Sequence, residues 1–252
     1  MTPESARQQL HYERIHDDYE RHYYDATSMA FRERFVYGVM FDGLDLNGKR
    51  VADLASGSGH NSLAVLRRFP RAEVVGFDIS QTACRQYRAT VGAEAYQLDL
   101  TARTDTGMAF DVAIIVGGLH HCVSDLDATF RTIAGLLREG GMLLMYEPNS
   151  EYVLEGVRKF WYRRDRYFDA ATEHALAHDR IASMAAKRGF APLRCQYAGG
   201  PAYFLIQNSL LFRIPVGLKR YLAPPLFALE AACNRLPWKC CFPTFIACWR
   251  KT

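Results

Sequence analysis

Between Arg50 and Glu147 the chain alternates short apolar runs with stretches of helical period. RVADLA (50–55), EVVGFD (73–78), EAYQLD (94–99), FDVAIIVG (110–117) and MLLMYE (142–147) read as strands, with helical patterns between them. In the fourth run Val112 to Val116 are apolar on both faces, as a strand inside a parallel sheet must be. Parallel neighbours need crossover connections, and these place helices on the faces of the sheet. FAPLRCQY (190–197) and TFIACWRK (244–251) supply two more strands, whose simplest connection is a hairpin. The expected fold is α/β, a three-layer sandwich around a seven-stranded, mostly parallel sheet with its last strand antiparallel.

Around this rhythm lie less regular parts. A helical pattern runs from Gln8 to Asp25, with Tyr12, Ile15, Tyr19 and Tyr23 on one side, and a second from Ser28, its N-cap, to Phe41. Leu126, Phe130, Ile133 and Leu137 fall at helical spacing before Glu139-Gly140-Gly141, which reads as a helix stop. Residues 172–189 predict another helix. About 45 residues separate the last two strands where a hairpin would suffice, so the excess is an insertion, expected as two helices. The expected organisation is an N-terminal helical cap (1–47), a core (48–198 with 243–252) and a helical insertion (199–242).

The 252 residues, 49% of them hydrophobic, can bury one large core. The N-terminus is charged from the start and carries no apolar h-region, and seven irregularly spaced cysteines suit free thiols in a reducing compartment. A cytoplasmic protein is expected. No pair of separated cysteine pairs offers a zinc site, and no metal is expected. The net charge of +4 is unevenly spread: from Gly199 onward seven basic residues face one acid, Glu230. That insertion is also rich in aromatic and aliphatic residues. A peripheral contact with an anionic membrane surface, a lid over the acceptor, packing on the core and a homodimer interface are the readings it leaves open.

The first strand runs into VADLASGSGHNS, a turn almost without side chains that opens a helix. Such a turn at the carboxyl edge of a parallel sheet seats a cofactor, because the ligand can approach the backbone. A dinucleotide fingerprint would want glycine or alanine where Ser62 stands, for close packing of helix on strand, and no Gly-Lys-Ser/Thr follows for a Walker loop. The order of acids and glycines resembles the class I S-adenosylmethionine-dependent methyltransferases, over roughly residues 48 to 148. The family's acidic residue and glycine-rich turn match Asp53-Leu54-Ala55-Ser56-Gly57-Ser58-Gly59, with Ala55 where the first glycine usually stands. The resemblance implies that Asp78, with Ile79 after it, grips the ribose, and that Asp99, with Leu100, lies near the adenine. It also implies that Val116 and Gly117 lie beside the cofactor, S-adenosylmethionine.

The resemblance further implies an in-line methyl transfer, in which the enzyme's work is alignment and exclusion of water. A hydroxyl or ammonium acceptor would need a base, and the candidates are His121 first and then His120, after the fourth strand. Tyr19, Tyr23 and Tyr24 could close over the sulfonium through cation–π attraction, Tyr19 and Tyr24 being the expected contacts. Glu147-Pro148-Asn149 is expected to line the acceptor side. His174 and His178 are read as an exposed pair. The expected acceptor is a small, hydrophobic or amphiphilic molecule. The alternative is nucleic acid of the tRNA type, gripped by the basic and aromatic stretch RKFWYRRDRYFD (158–169), and a NAD-dependent oxidoreductase ranks below that.

Overall fold

The computed structural model describes residues 23–102, 104–162 and 174–252. Seven strands form one sheet: β1 (Arg50–Leu54), β2 (Glu73–Asp78), β3 (Ala95–Gln97), β4 (Phe110–Val116), β5 (Leu137–Pro148), β6 (Phe190–Ala198) and β7 (Thr244–Lys251). Their order is β3-β2-β1-β4-β5-β7-β6. The pairs among β1 to β5 are parallel, and β7 runs antiparallel to both β5 and β6. After β1 the chain turns to one side for β2 and β3, then returns to the other side with β4. The resulting switch point between β1 and β4 opens a crevice at the carboxyl edge, the place where α/β sheets bind ligands.

Strand alternation builds two cores. Val112 and Ile114 of β4 point to one face, with Val51 and Leu144, while Ala113 and Ile115 point to the other, with Leu54 and Met145. The second face is covered by α4 (Leu126–Leu136), through Phe130 and Ile133, and by α6 (His178–Ala186), through Ile181 and Ala185. The first face carries α1 (Ala26–Arg32), α2 (His60–Arg68) and part of the insertion, with α3 (Gln81–Val91) contacting α2 and β2. Two further helices, α5 (Glu155–Tyr162) and α7 (Val216–Cys233), lie in the C-terminal third.

Several expected boundaries move, each for a local reason. Asp25, not Ser28, caps α1: its Oδ1 accepts from the Thr27 and Ser28 amides at 3.0 and 3.2 Å. Ser28 is instead buried and donates from Oγ to Asp25 Oδ2 at 2.7 Å. The chain continues past α1 through a wide π-turn (Glu33–Tyr37) and a last turn (Gly38–Met40). Helix α4 ends at Leu136, and Gly140-Gly141 belongs to β5, where Gly140 takes a positive φ of 74°. The expected helix over 172–189 begins only at His178, which is buried and accepts from Trp249 Nε1 at 3.2 Å. His174 lies before that helix, so the two histidines do not share a helical face.

The insertion holds one long helix rather than two. It opens with a π-turn (Tyr203–Gln207) and a 3-10 turn (Ser209–Phe212), then α7 runs eighteen residues through Pro224 and Pro225. Both prolines are exposed, so water can serve the carbonyls one turn earlier that lose their N–H partners. Buried charges fasten this region to the core. Lys219 Nζ, fully buried, donates to Asp25 Oδ2 at 2.6 Å and Ser28 Oγ at 2.8 Å. Glu230, also fully buried, accepts from the amides of Gly200, Ala202 and Tyr203 at 2.8, 2.9 and 3.3 Å. Residues Ala202, Tyr203, Ile206 and Ala223 thereby join Phe31 and Phe35 in one core.

Candidate active site

The turn after β1 is left-handed at three residues: Ala55 (φ 51°), Gly57 (φ 52°) and Gly59 (φ 90°). The two glycines serve different ends. A Cβ on Gly59 would come within 2.3 Å of Val91 Cγ2 and 2.9 Å of the Tyr87 ring, so its bareness lets α3 approach. Gly76 on β2 makes room for the same ring, whose hydroxyl is 2.6 Å from Ser62 Oγ. A Cβ on Gly57 would meet nothing within 4 Å. Gly57 is therefore the residue that leaves the open side of the turn free of side chain.

The turn's amides are largely used within the protein. Ser56 donates to the Phe77 carbonyl at 3.1 Å, Gly57 to Asp78 Oδ2 at 2.9 Å and Gly59 to the Ser56 carbonyl at 3.0 Å. Close backbone approach, more than a nest of free N–H groups, is what this turn offers a ligand. Asp53, expected beside the cofactor, is fully buried; it accepts from Ser62 N and Oγ at 3.1 and 2.8 Å and from Asn61 Nδ2 at 3.4 Å. It ties the turn to α2, and burial pushes its carboxyl up to about 7. Leu100 likewise turns into the core with Leu98 and Phe77 rather than toward the crevice.

The remaining expected residues ring the carboxyl edge. Asp78 ends β2, its Oδ1 taking the Ser80 amide at 2.9 Å, and Ile79 follows, half-buried. Asp99 Oδ1 accepts from Thr101 N and Oγ1 at 2.9 and 2.7 Å. Asp99 Oδ2 and Ser56 Oγ are buried and take no hydrogen bond from any described residue. Native interiors rarely leave such atoms unpaired, and each costs on the order of 1–3 kcal/mol. A carboxylate oxygen and a hydroxyl left unpaired after β3 and β1, the strands on either side of β2, suit a ligand with hydroxyl and amino donors, as an adenosyl group has. The residues present fit S-adenosylmethionine.

Across the switch point Val116 and Gly117 end β4, Gly117 at φ 66° with its amide on the Tyr146 carbonyl at 2.8 Å. A Cβ on Gly118 would lie 2.6 Å from Ala55 Cβ, so the β1 and β4 loops touch across the crevice. Tyr24 stacks on His60 at the start of α2, centroids 4.0 Å apart, with the Arg32 guanidinium 4.6 Å over its ring. Tyr24 thus stands next to the glycine turn, whereas Tyr19 lies outside the described residues. Tyr23 is buried.

The least expected arrangement follows β4. The fully buried carboxylate of Glu147 accepts from the amides of Gly118, Leu119 and His120 at 3.0, 2.7 and 3.3 Å. His120 Nδ1 lies 2.8 Å from Glu147 Oε2. Burial pushes Glu147 up to about 8, against the pull of those three amides. Burial, with Arg158 nearby, takes His120 down to about 3, which makes its ring neutral near pH 7. All four donors need an accepting oxygen, so the hydrogen bonds describe an anionic Glu147 with the neutral ring donating from Nδ1. Nε2, on the opposite edge, is then the acceptor. The ring that this contact orients is His120, while His121, the first expected candidate, lies beside it, centroids 3.9 Å apart and the rings tilted by 40°.

Asn149, expected to line the acceptor side, instead donates from Nδ2 to the Lys239 and Phe242 carbonyls at 3.0 and 2.9 Å. Arg158 is also turned inward, bonding the Pro243 and Asn149 carbonyls at 2.9 and 2.8 Å. The rest of the basic stretch from Arg163 to Tyr167 lies outside the described residues. Among the described residues no group of histidine, cysteine and acidic side chains could hold a metal ion.

Comparison with known proteins points the same way. Residues 51–141 match the family model described as a methyltransferase domain. A curated relative, trans-aconitate 2-methyltransferase from Afipia carboxidovorans, is 26% identical over 105 residues, 42% of this chain and 41% of that protein. The match thus spans less than half the length of that relative. Among solved structures, an S-adenosylmethionine-dependent methyltransferase from Mesorhizobium loti superposes with a TM-score of 0.59 at 18% identity, covering 90% of this chain and 98% of that one. A mycolic acid cyclopropane synthase, solved with S-adenosylhomocysteine, superposes with a TM-score of 0.68 at 16% identity, covering 100% and 99%. At such identities the structures speak for the fold. Over residues 51–141 the chain thus matches a methyltransferase domain, and its fold is that of solved S-adenosylmethionine-dependent methyltransferases.

Proposed function

We propose that the chain transfers the methyl group of S-adenosylmethionine to a small, apolar or amphiphilic acceptor, with His120 receiving the acceptor's proton. The observation that carries this reading is the Glu147–His120 contact of 2.8 Å at the carboxyl end of the sheet. When bound, the cofactor supplies an electrophilic methyl on a sulfonium. The turn at Ala55 to Gly59 and the acids Asp78 and Asp99 would hold its adenosyl part.

Glu147 fixes the tautomer and angle of His120, so that Nε2 keeps a lone pair for an acceptor hydroxyl or ammonium. As the acceptor atom gains the methyl, its proton passes to Nε2, and the resulting imidazolium is stabilised by the Glu147 carboxylate behind it. We place the acceptor's body against the aromatic residues Tyr146, Tyr152, Tyr203 and Phe204, which gather from β5, the following loop and the insertion. Such walls exclude water and favour an apolar acceptor body. The curated relative's name, with its small-molecule acceptor, supports that size class. Among the described residues Arg158 of the basic stretch is spent on backbone carbonyls, which supports a small acceptor over nucleic acid.

The test is to follow S-adenosylhomocysteine formation with a panel of small apolar hydroxyl and amine acceptors. With an acceptor that turns over, His120→Ala is expected to lower kcat by about 10²–10⁴-fold, leaving cofactor affinity within a few-fold. His121→Ala should lose far less. Because the His120 pKa is depressed, kcat/KM should stay flat through the range around 6.5 where a free histidine would protonate. Equal loss in both variants, or full activity in His120→Ala, overturns the role given to His120. Product formation with tRNA and with none of the small acceptors overturns the acceptor class.

A further inference from the structure

The outward face of α7 is unlike that of an ordinary surface helix. Positions 218, 221, 225 and 229 repeat at three- and four-residue steps, and Leu218, Tyr221 and Leu229 are 46%, 65% and 50% exposed, with Pro225 also exposed. The opposite face, at Lys219, Ala223 and Glu230, is buried against α1 and the Gly200–Tyr203 segment. Arg220 is the one charged residue exposed within the helix. An eighteen-residue helix that is apolar on both sides normally sits between two protein layers. Here the outer layer is missing among the described residues.

The patch continues past the helix. Leu236 and Trp238 follow, the latter 60% exposed, and the Val153 amide donates to the Cys240 carbonyl at 2.8 Å. That bond joins the strip to Val153, Leu154 and Val157, which are exposed as well. Within the insertion the exposed charges have one sign, whereas near Trp238 Lys239 is paired with Glu151 and Asp179 at 2.8 and 3.1 Å. Arg213, Arg220 and Arg235 are exposed, while the insertion's single acid, Glu230, is fully buried beneath α7.

The geometry points to α7 as a docking surface for an anionic lipid bilayer, with its outward face laid in the headgroup layer and its arginines on acidic headgroups. Three observations choose this occupant over a second copy of the chain. A two-fold interface would set the same basic rim against itself, with no exposed acid in the insertion to answer it. A helix face about 27 Å long and about 10 Å wide offers a few hundred Å2, short of the roughly 800 Å2 per partner of a stable dimer. The aromatic side chains Tyr221 and Trp238 are of the kind enriched at membrane–water boundaries. No described helix is long and apolar enough to cross a membrane, so the contact is a surface one. It stands independently of the methyl transfer proposed above.

The experiment is flotation of the full chain with vesicles of phosphatidylcholine alone and of phosphatidylcholine with phosphatidylglycerol. Binding to the anionic vesicles is expected, falling as salt rises, with little binding to the neutral ones. Arg220→Gln and Arg235→Gln should each weaken it about fivefold, and Leu229→Asp should weaken it further. These positions are exposed, so circular dichroism, thermal melting and S-adenosylhomocysteine affinity should stay at their original values. No flotation at low salt overturns the proposal. So does equal binding by all variants. A concentration-dependent dimer in sedimentation that Leu229→Asp dissolves would give the face to a second copy, and crosslinks from residues 1–22 to α7 would give it to the chain itself.

Discussion

The cofactor edge of the sheet and the helical cap solve one problem in two ways. Both bury carboxylates that collect backbone amides: Glu147 holds the loop after β4, and Glu230 holds the start of the Tyr203–Gln207 turn. At the cofactor edge Glu147 on β5 takes its partners from the loop after β4, and these two strands are consecutive in the chain and adjacent in the sheet. In the cap the partners are remote, as with Lys219 and Asp25, 194 residues apart. A polar group placed by strand topology can be anticipated, whereas one placed by packing of a loosely patterned layer cannot.

The largest effect is expected where the cap depends on that remote contact. Lys219→Met leaves the Asp25 carboxylate, only 9% exposed, without its cation and should cost about 3 kcal/mol of stability in chemical denaturation. Asp25→Asn on top of it should recover most of the loss, because asparagine still caps α1 and carries no charge. If the double variant is as unstable as the single one, the pair does not act as a unit, and the contrast with the cofactor edge fails.

The two glycines sharpen the comparison within the cofactor edge. Gly59→Ala must both strain a φ of 90° and push against Val91 and Tyr87, so a loss of about 2–3 kcal/mol is expected. Gly57→Ala meets open space, so its stability cost should stay near 1 kcal/mol, the price of the left-handed backbone. Its larger effect should appear in calorimetry as weaker cofactor binding. Should the two variants lose stability alike, the division between a packing glycine and a ligand-facing one is wrong.

A smaller, pH-dependent effect separates Asp53 from a surface acid. Its pKa is raised by burial to about 7. A folded pKa above the unfolded one means that protonation favours the fold: the contribution is complete below the unfolded value and is lost as pH rises through 7. Melting temperature should therefore fall between about pH 4 and about pH 7, and Asp53→Asn should flatten that slope. An unchanged slope in the variant would show that Asp53 is ionised in the fold.

How much of this was visible in the amino-acid order follows the same divide. The strands β1, β2, β4 and β7 and the sequence of residues at their carboxyl ends could be read, because apolar runs and their terminal acids are local. The role of Asp53 could not, since the same acid can face a ligand or reach back to Ser62, and only the packing of α2 decides. Glu147 looked like the end of a strand; the signal for its role is an acid closing a strand beside the one followed by two histidines. The cap was hardest. Asp25 and Ser28 both make good caps, a proline pair reads as a helix break, and a lysine in a basic tail reads as solvated. Burial of α7 on one side overrode the last two.

Ala55 tests whether the cofactor edge is as settled as its order of motifs suggests. It stands where the family's turn usually has glycine, and it holds a φ of 51°. A left-handed alanine costs about 1–2 kcal/mol, because its Cβ crowds the next carbonyl. Replacing it by glycine removes that strain but loosens the unfolded chain, which returns about 0.4–1 kcal/mol. Ala55→Gly should therefore stabilise the protein by less than about 1 kcal/mol, read as a small rise in melting temperature. The methyl group also touches the Gly118 backbone, the contact through which the β1 and β4 loops meet. If the variant melts lower, that contact outweighs the strain, and the alanine is a strut across the crevice rather than a tolerated exception to the glycine pattern.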